Sequence, residues 1–297
     1  MIGRAGIPEP SSAAARRERR ARRERALRLG LTYAVLVAVS AVAVFPILQI
    51  VNISLRPSDQ FASTSLRLIP EGATLAAYRT ILFEKDFPRW LLNSIIVSLA
   101  TTIIGVALAS TAGYAFSRLR FPLRRAGMML FLVSQMFPAT MLLLPLFIMM
   151  RRLALLDSFA GVIIAYVVTA LPFCVWTMKG YYDTIPRDLE EAARVDGTSD
   201  LGAFWRVTLP LASPALAITG LFSFMTGWSE FMVARVVISS KKLFTLPLGL
   251  ENLTSTFATE WANYAAGSFL VCVPVVVLFV VLSRFLVGGL TLGGVKG

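Results

Sequence analysis

The stretch "GLTYAVLVAVSAVAVFPILQIVN", Gly30–Asn52, decides the fold class. It carries no charged side chain, and it is longer than the about 20 helical residues that cross ~30 Å of hydrocarbon. Its apolar residues are continuous, whereas a lipid-facing barrel strand alternates apolar with polar, so the stretch reads as a helix. It follows an arginine-rich tail, as a secretory signal would. Its apolar core nevertheless exceeds the roughly 7–15 residues of a signal segment, so it reads as an uncleaved anchor.

Five further runs of this kind lie outward from it, at about 91–115, 126–149, 159–178, 211–233 and 265–287. The 297 residues are 56% hydrophobic and only 15% charged, against the roughly 25% charged of a soluble domain. The expectation is an all-α integral membrane protein with six transmembrane helices. One membrane domain, 30–287, then joins a basic N-tail, 1–29, to a short C-tail, 288–297. Outer loops occupy 53–90 and 234–264, and an inner loop occupies 179–210.

Orientation follows from the basic residues. With a cytoplasmic N-terminus, the N-tail, "SRLRFPLRR" at 117–125, the 179–210 loop and the C-tail hold most of the 29 Lys and Arg. Both termini are therefore expected in the cytoplasm. The formal net charge of +12 is mainly topology, and the tail "ARRERRARRERALR" serves either as a topology signal or as an arm for anionic lipid. Basic residues gathered beside a span, rather than on a folded domain, argue against nucleic-acid binding.

Several chemistries are excluded by residue type. Without any histidine, histidine bases and histidine metal sites are unavailable, and no metal site or catalytic constellation is expected. No GxxxxGK[ST] loop is present, so the chain is not expected to hydrolyse ATP. Cys174 and Cys272 both fall in expected spans, where a small apolar packing role outweighs a redox pair.

The inner loop breaks the pattern. In "YYDTIPRDLEEAARVDGTSDLGAFWRVTLP", Tyr181–Pro210, Pro186 suits a first helical turn, and Asp188, Glu190 and Glu191 suit the helix dipole. Gly197 suits a left-handed stop, and Thr198, Ser199 and Asp200 are capping types that open a second helix. Leu189, Ala192 and Ala193 share a narrow face, and Leu201, Phe204 and Trp205 share another. Glu190 is spaced to pair with Arg194, leaving Glu191 for a basic group on a partner. Across 179–210 the acids Asp183, Asp188, Glu190, Glu191, Asp196 and Asp200 outnumber the bases Lys179, Arg187, Arg194 and Arg206. A helix lying on lipid prefers bases, so a protein partner is the better reading.

Here the loop resembles a known pattern: E-A-A, three residues, G, nine residues, I, any residue, L-P, found in permease subunits of bacterial ATP-binding-cassette (ABC) importers. It reads Glu191-Ala192-Ala193, Gly197, Val207 in the isoleucine place, and Leu209-Pro210. "FLVGGLTLGGVKG" at 285–297, "YYDTIPRDLEEAARVDG" at 181–197 and "TLPLGLENL" at 245–253 are similar to the MalG type, the second permease of maltose/maltodextrin importers. Importers of other carbohydrates or of glycerol phosphate share the loop.

The resemblance implies a MetI-like fold in the bacterial inner membrane, with no cofactor on this chain and ATP used by partner subunits. Its partners would be a MalF-like second permease, two copies of a MalK-like ATPase, a soluble maltodextrin-binding protein and membrane lipid. ATPase coupling would fall to Glu190, Glu191, Ala192, Ala193, Gly197, Leu209 and Pro210, with Glu191 facing a basic residue. The tail Gly293, Gly294, Val295, Lys296 and Gly297 would reach between the ATPases. The outer segment from about Leu250 to Tyr264 would meet the binding protein.

Within the membrane, Ser94, Ser98, Thr102, Gly105, Ala109 and Gly113 recur about every four residues, a spacing that favours close helix packing over pore lining. Thr219, Ser223, Thr226 and Glu230 form a polar face, a possible translocation pathway for sugar hydroxyls. Glu230 is the one acid placed within an expected span, either functional or at the outer boundary in water. Pro138, Pro145, Pro172 and Pro274 would bend their helices, shaping the bundle or acting as hinges. An ion-coupled secondary carrier is the alternative of another class, but it needs ionisable groups near the midplane, and none is placed there.

Overall fold

In the computed structural model the backbone is described for residues 12–57, 69–254 and 259–293, and side chains for 22–57, 69–254 and 259–283. The elements in chain order are α1 (Ser12–Ser54), α2 (Ala76–Phe83), α3 (Phe87–Arg118), α4 (Arg124–Ser134), α5 (Leu143–Arg152), α6 (Phe159–Thr184) and α7 (Asp188–Val195). They continue with α8 (Asp200–Ala203), α9 (Leu209–Leu211), α10 (Ser213–Ser229), α11 (Met232–Val237), α12 (Leu246–Glu251) and α13 (Trp261–Gly293). No strand occurs among the described residues. The protein is all-helical, as the continuous apolar runs require.

Four described helical segments are long and apolar enough to span a membrane by themselves: 22–54 within α1, α3, α6 and 261–283 within α13. Two further helix pairs are apolar enough only when taken together, and each is sharply bent. The continuous helix expected over 126–149 is instead α4 and a 3-10 turn, Ala139–Leu142, leading into α5, with a bend of 101°. Pro138 lies at this break, where it has no N–H to give the helix ladder and disfavours a helical residue before it. The second pair, 200–211 and α10, bends by 78°. By contrast α6 runs through Pro172 and α13 through Pro274 without a break.

The bundle is organised around α3, which packs most extensively against α6 and α10. The small-residue stripe explains the closeness. A Cβ added to Gly113 would stand 2.7 Å from the Cβ of Met178 and 3.0 Å from the backbone nitrogen of Lys179. One added to Gly227 of α10 would stand 2.8 Å from the Cα of Ser98. Ser94, Ser98, Gly105, Ala109 and Gly113 are all buried, so the stripe is a packing seam. Gly113→Val is expected to force α3 from α6 and destabilise the bundle by about 1–3 kcal/mol, read as a fall in the thermal midpoint of the detergent-solubilised protein.

Beside a small cluster of Ala77, Ala262 and Ala266, apolar burial falls mainly into two clusters. One gathers Trp90, Tyr166, Trp228, Leu246 and Leu248 around the α12 end of the bundle. The other gathers Cys174, Met178, Tyr182, Ile185 and Phe204 around the α7 end. Cys174 is buried, Cys272 is exposed and both are free thiols, with the Cys174 sulfur 3.4 Å from the Ser223 hydroxyl.

Candidate functional site

The loop between α6 and α10 is built as two helices around a glycine. Ile185 is extended, as a residue before proline prefers, and α7 begins at Asp188, two residues after Pro186 rather than on it. Asp188, Glu190 and Glu191 occupy its first turn. At its end Gly197 has φ +86°, Gly197 N–H donates to the Arg194 carbonyl and Thr198 N–H donates to the Ala193 carbonyl. This pair of bonds is a Schellman stop. Ser199 then caps α8, its hydroxyl accepting from Gly202 N–H at 3.2 Å.

A Cβ on Gly197 would meet nothing within 4 Å, so only the left-handed backbone limits substitution there. Gly197→Val is therefore expected to destabilise the turn by at least about 1–2 kcal/mol, whereas Gly197→Asn is expected to be nearly neutral. Proteolytic cleavage rates of the loop in the two variants check this.

The acids part ways in the fold. The expected Glu190–Arg194 pair does not form; Arg194 instead reaches forward to Asp200, with Nε 2.8 Å from Oδ1. Glu190 turns into the bundle, where the Nε of Arg118 donates to its Oε1 at 2.7 Å and the Tyr114 hydroxyl donates to its Oε2 at 3.0 Å. Both side chains of the ion pair are buried, 7% exposed for Arg118 and 2% for Glu190. Arg118 also donates to the Ile185 carbonyl at 2.9 Å, so one guanidinium clamps both the entry to α7 and its first turn. Burial pushes the Glu190 carboxyl upward, but the Arg118 and Tyr114 hydrogen bonds and the guanidinium charge hold it below the usual glutamate range.

Around this pair the ends of α3 and α6 are cross-braced. Ser117 donates to Asp183 at 2.7 Å, Lys179 donates to the same carboxylate at 2.6 Å, and Arg187 donates to the Ser117 carbonyl at 3.2 Å. The second half of the loop is held by aromatic packing. Phe204, expected on an outward patch, is buried against Tyr114 with ring centroids 4.7 Å apart and near Tyr182 at 6.4 Å. Tyr114 thus touches both α7 and the residue that follows α8.

Several side chains of the loop remain outside. Leu189, Glu191, Ala192, Val195, Leu201 and Trp205 are exposed, and Val195 is 88% exposed. Ala193 and Leu209 are partly covered, while Pro210 is exposed. The loop therefore combines a rigid buried root with an apolar, acid-bearing outer surface. Sequence spacing exposed the outer face but missed Arg118 and Tyr114, whose partners lie about 70 positions away in the chain.

The other expected sites are distributed differently. Thr219 and Ser223 are fully buried among α3, α6 and α10. Thr226, partly exposed, donates to the Phe222 carbonyl. Glu230 ends α10, and its Oε2 accepts from the Val233 and Ala234 N–H groups, so its carboxylate opens the short helix α11. Gly293 is the last residue of α13, and Gly294, Val295, Lys296 and Gly297 lie outside the described residues.

At the α12 end, Asn93 donates to the carbonyls of Lys242 and Phe244, and Ser94 accepts from Leu246 N–H. Asp157 accepts from the Ser239 and Ser240 N–H groups. Lys85 pairs with Glu260 at 2.8 Å, and its hydrogen bond holds that carboxyl below the usual range. The segment leading into α12 is thus fastened to α3 and to the turn before α6.

The described helices form a bundle with spans long and apolar enough for a membrane, and the α6–α10 loop is rooted in it through Glu190 and Arg118. Residues 102–291 match the family model of the binding-protein-dependent transport system inner membrane component, and the chain belongs to that family. It is a multi-pass bacterial inner-membrane protein, a permease subunit without its own ATPase site.

Among curated relatives, it is 33% identical over 277 residues to the galactooligosaccharides transport system permease protein GanQ of Bacillus subtilis, covering 92% of this chain and 97% of that one. It is 36% identical over 257 residues to the trehalose transport system permease protein SugB of Mycobacterium tuberculosis, covering 86% and 93%. It is 36% identical over 290 residues to the maltose/maltodextrin transport system permease protein MalG of Yersinia pestis, covering 91% and 94%. The fold matches a chain of a solved bacterial ABC transporter that imports the acidic polysaccharide alginate, with a TM-score of 0.75, 24% identity and coverage of 94% and 99%. Family membership implies a second permease, ATPase subunits and a substrate-binding protein.

Proposed function

We propose that this chain is one of two permeases of an ATP-driven importer for oligosaccharides of the maltodextrin class, with α7–α9 docking on a cytoplasmic ATPase. The observation that carries the docking role is the different placement of adjacent acids: Glu190 is buried on Arg118, while Glu191 is exposed on the same helix as the exposed Leu189 and Val195. A face rooted in α3 passes displacement into the bundle instead of absorbing it. Carbohydrate relatives support the substrate class, and the choice of maltodextrins rests on the resemblance of "TLPLGLENL" and "FLVGGLTLGGVKG" to the MalG type.

In this reading both termini and α7 lie in the cytoplasm, and the segment from about Leu250 to Tyr264 meets the binding protein. The tail Gly293–Gly297 contacts the ATPase pair in this reading. ATP binding changes the separation of the two ATPases, and it biases the permeases only through the differential fit of α7 in the two states. Uptake by the complex of this chain with its native partners, reconstituted in vesicles, tests the proposal. ATP-dependent accumulation of labelled maltotriose is expected. Accumulation driven by an ion gradient without an ATPase subunit would overturn the importer reading, and ATP-driven uptake of trehalose but not maltotriose would overturn the sugar.

A further inference from the structure

The end of the bundle that carries α7 also holds an open groove that the docking loop does not use. It has a volume of about 500 Å³ and is lined by Arg124, Arg125, Met128, Met129, Leu132, Trp176 and Lys179. A second hollow of about 490 Å³, sharing Arg124 and Arg125, adds Arg120 and Phe121. We propose that this groove, between α4 and α6, holds an anionic phospholipid, its phosphate on Arg124, Arg125 and Lys179 and an acyl chain along Met129, Leu132 and Trp176.

The groove is graded along its length. On α4 the arginines come first and Met128, Met129 and Leu132 follow at helical spacing, reaching roughly 10 Å from Arg125. On α6 Trp176 precedes Lys179 by one turn, so both helices put their cations at one end and their apolar side chains toward the membrane interior. A charged mouth over an apolar trough, flanked by tryptophan at the end of a span, is the complement of a lipid headgroup over its chain.

The local charge is not neutralised from within. Asp183 is the acid held at this site, and its carboxylate is shared between Lys179 at 2.6 Å and Ser117 at 2.7 Å. Arg124 donates to the Ser117 carbonyl, an uncharged partner, at 3.3 Å. Arg120 and Arg125 make no ion pair among the described residues. Two or three cations therefore face a pocket with one acid between them. An anion supplied by the membrane balances them in place.

Trp176 gives the test its readout. The complete transporter complex is placed in nanodiscs with brominated phosphatidylglycerol or brominated phosphatidylcholine, and quenching is taken as the difference from the Trp176→Phe complex. Phosphatidylglycerol is expected to quench at roughly thirtyfold lower mole fraction, from two guanidinium contacts to an anionic headgroup. This preference should vanish in Arg124→Gln/Arg125→Gln and weaken in Arg125→Glu, which alters only an exposed side chain. Equal quenching by the two lipids in the unaltered complex would overturn the proposal. Absence of quenching, with the groove covered by the second permease, would overturn it too, as would loss of the preference on adding inorganic phosphate, which would make the groove a site for a soluble anion.

Discussion

Arg118→Met is expected to destabilise the attachment of α7 by about 3–5 kcal/mol, because it removes one partner of a buried pair and leaves the Glu190 carboxylate stranded. The guanidinium also serves the Ile185 carbonyl, so the entry to the loop loses a bond at the same time. Two measurements read the effect: the thermal midpoint of the purified chain and the rate at which protease cuts the 185–200 segment. Glu190→Gln should be milder, since its amide still accepts from Arg118 while losing the charge. The double replacement Arg118→Met/Glu190→Met should recover part of the loss, because removing both charges also removes their desolvation. If Arg118→Met leaves loop protection unchanged, α7 is held by Phe204 and its aromatic neighbours and the ion pair is incidental.

The same pair fixes a pH dependence. The Glu190 carboxyl is held below its ordinary value in the folded chain, so the unfolded chain binds the proton more readily. Its contribution to stability is therefore complete above the unfolded glutamate range and is lost as pH falls through the lower, folded value. Loop protection should stay flat from neutral pH down to mildly acidic conditions and fall only in acid. In Arg118→Met the decline should begin at higher pH, because the lowering influence has gone.

Why some of this was readable in the sequence and some was not is a matter of range. Gly197, Ser199 and the exposed Leu189 and Glu191 follow from contacts within a few residues, where helical spacing and capping chemistry are reliable. The Glu190 partner depends on how α3 is rotated against α6, and that rotation is set by small residues such as Gly113 meeting Met178. No local pattern encodes it. Arg118 was hidden by its company, since a basic residue at a span end already has a topological explanation. Phe204 was misassigned for a related reason: its spacing with Leu201 and Trp205 is helical, but Tyr114 and Tyr182 supply a pocket that only the tertiary fold creates. The bend at Pro138 was expected in kind and underestimated in degree, because a proline that merely kinks a helix and one that ends it look alike in sequence.

Glu191→Lys is expected to weaken docking on the ATPase by about 2–5 kcal/mol, the loss typical when one partner of a buried interfacial charge pair is removed. Retention of the ATPase subunit during purification, and ATP-driven transport, should both fall, while the thermal midpoint of the isolated chain stays unchanged because Glu191 is exposed and makes no ion pair among the described residues. That combination separates it from Arg118→Met, which acts on the root. The neighbouring apolar face offers the rival source of affinity, with Leu189 44% and Val195 88% exposed on the same short helix. Val195→Ser and Leu189→Ser remove apolar area without charge. If they abolish retention while Glu191→Gln preserves it, the contact is hydrophobic and the acid serves selectivity, repelling wrong partners more than holding the right one. If Glu191→Gln alone releases the ATPase, the charge carries the docking. The two outcomes are distinguishable because the adjacent acids of α7 are placed differently, Glu190 buried on Arg118 of α3 and Glu191 exposed.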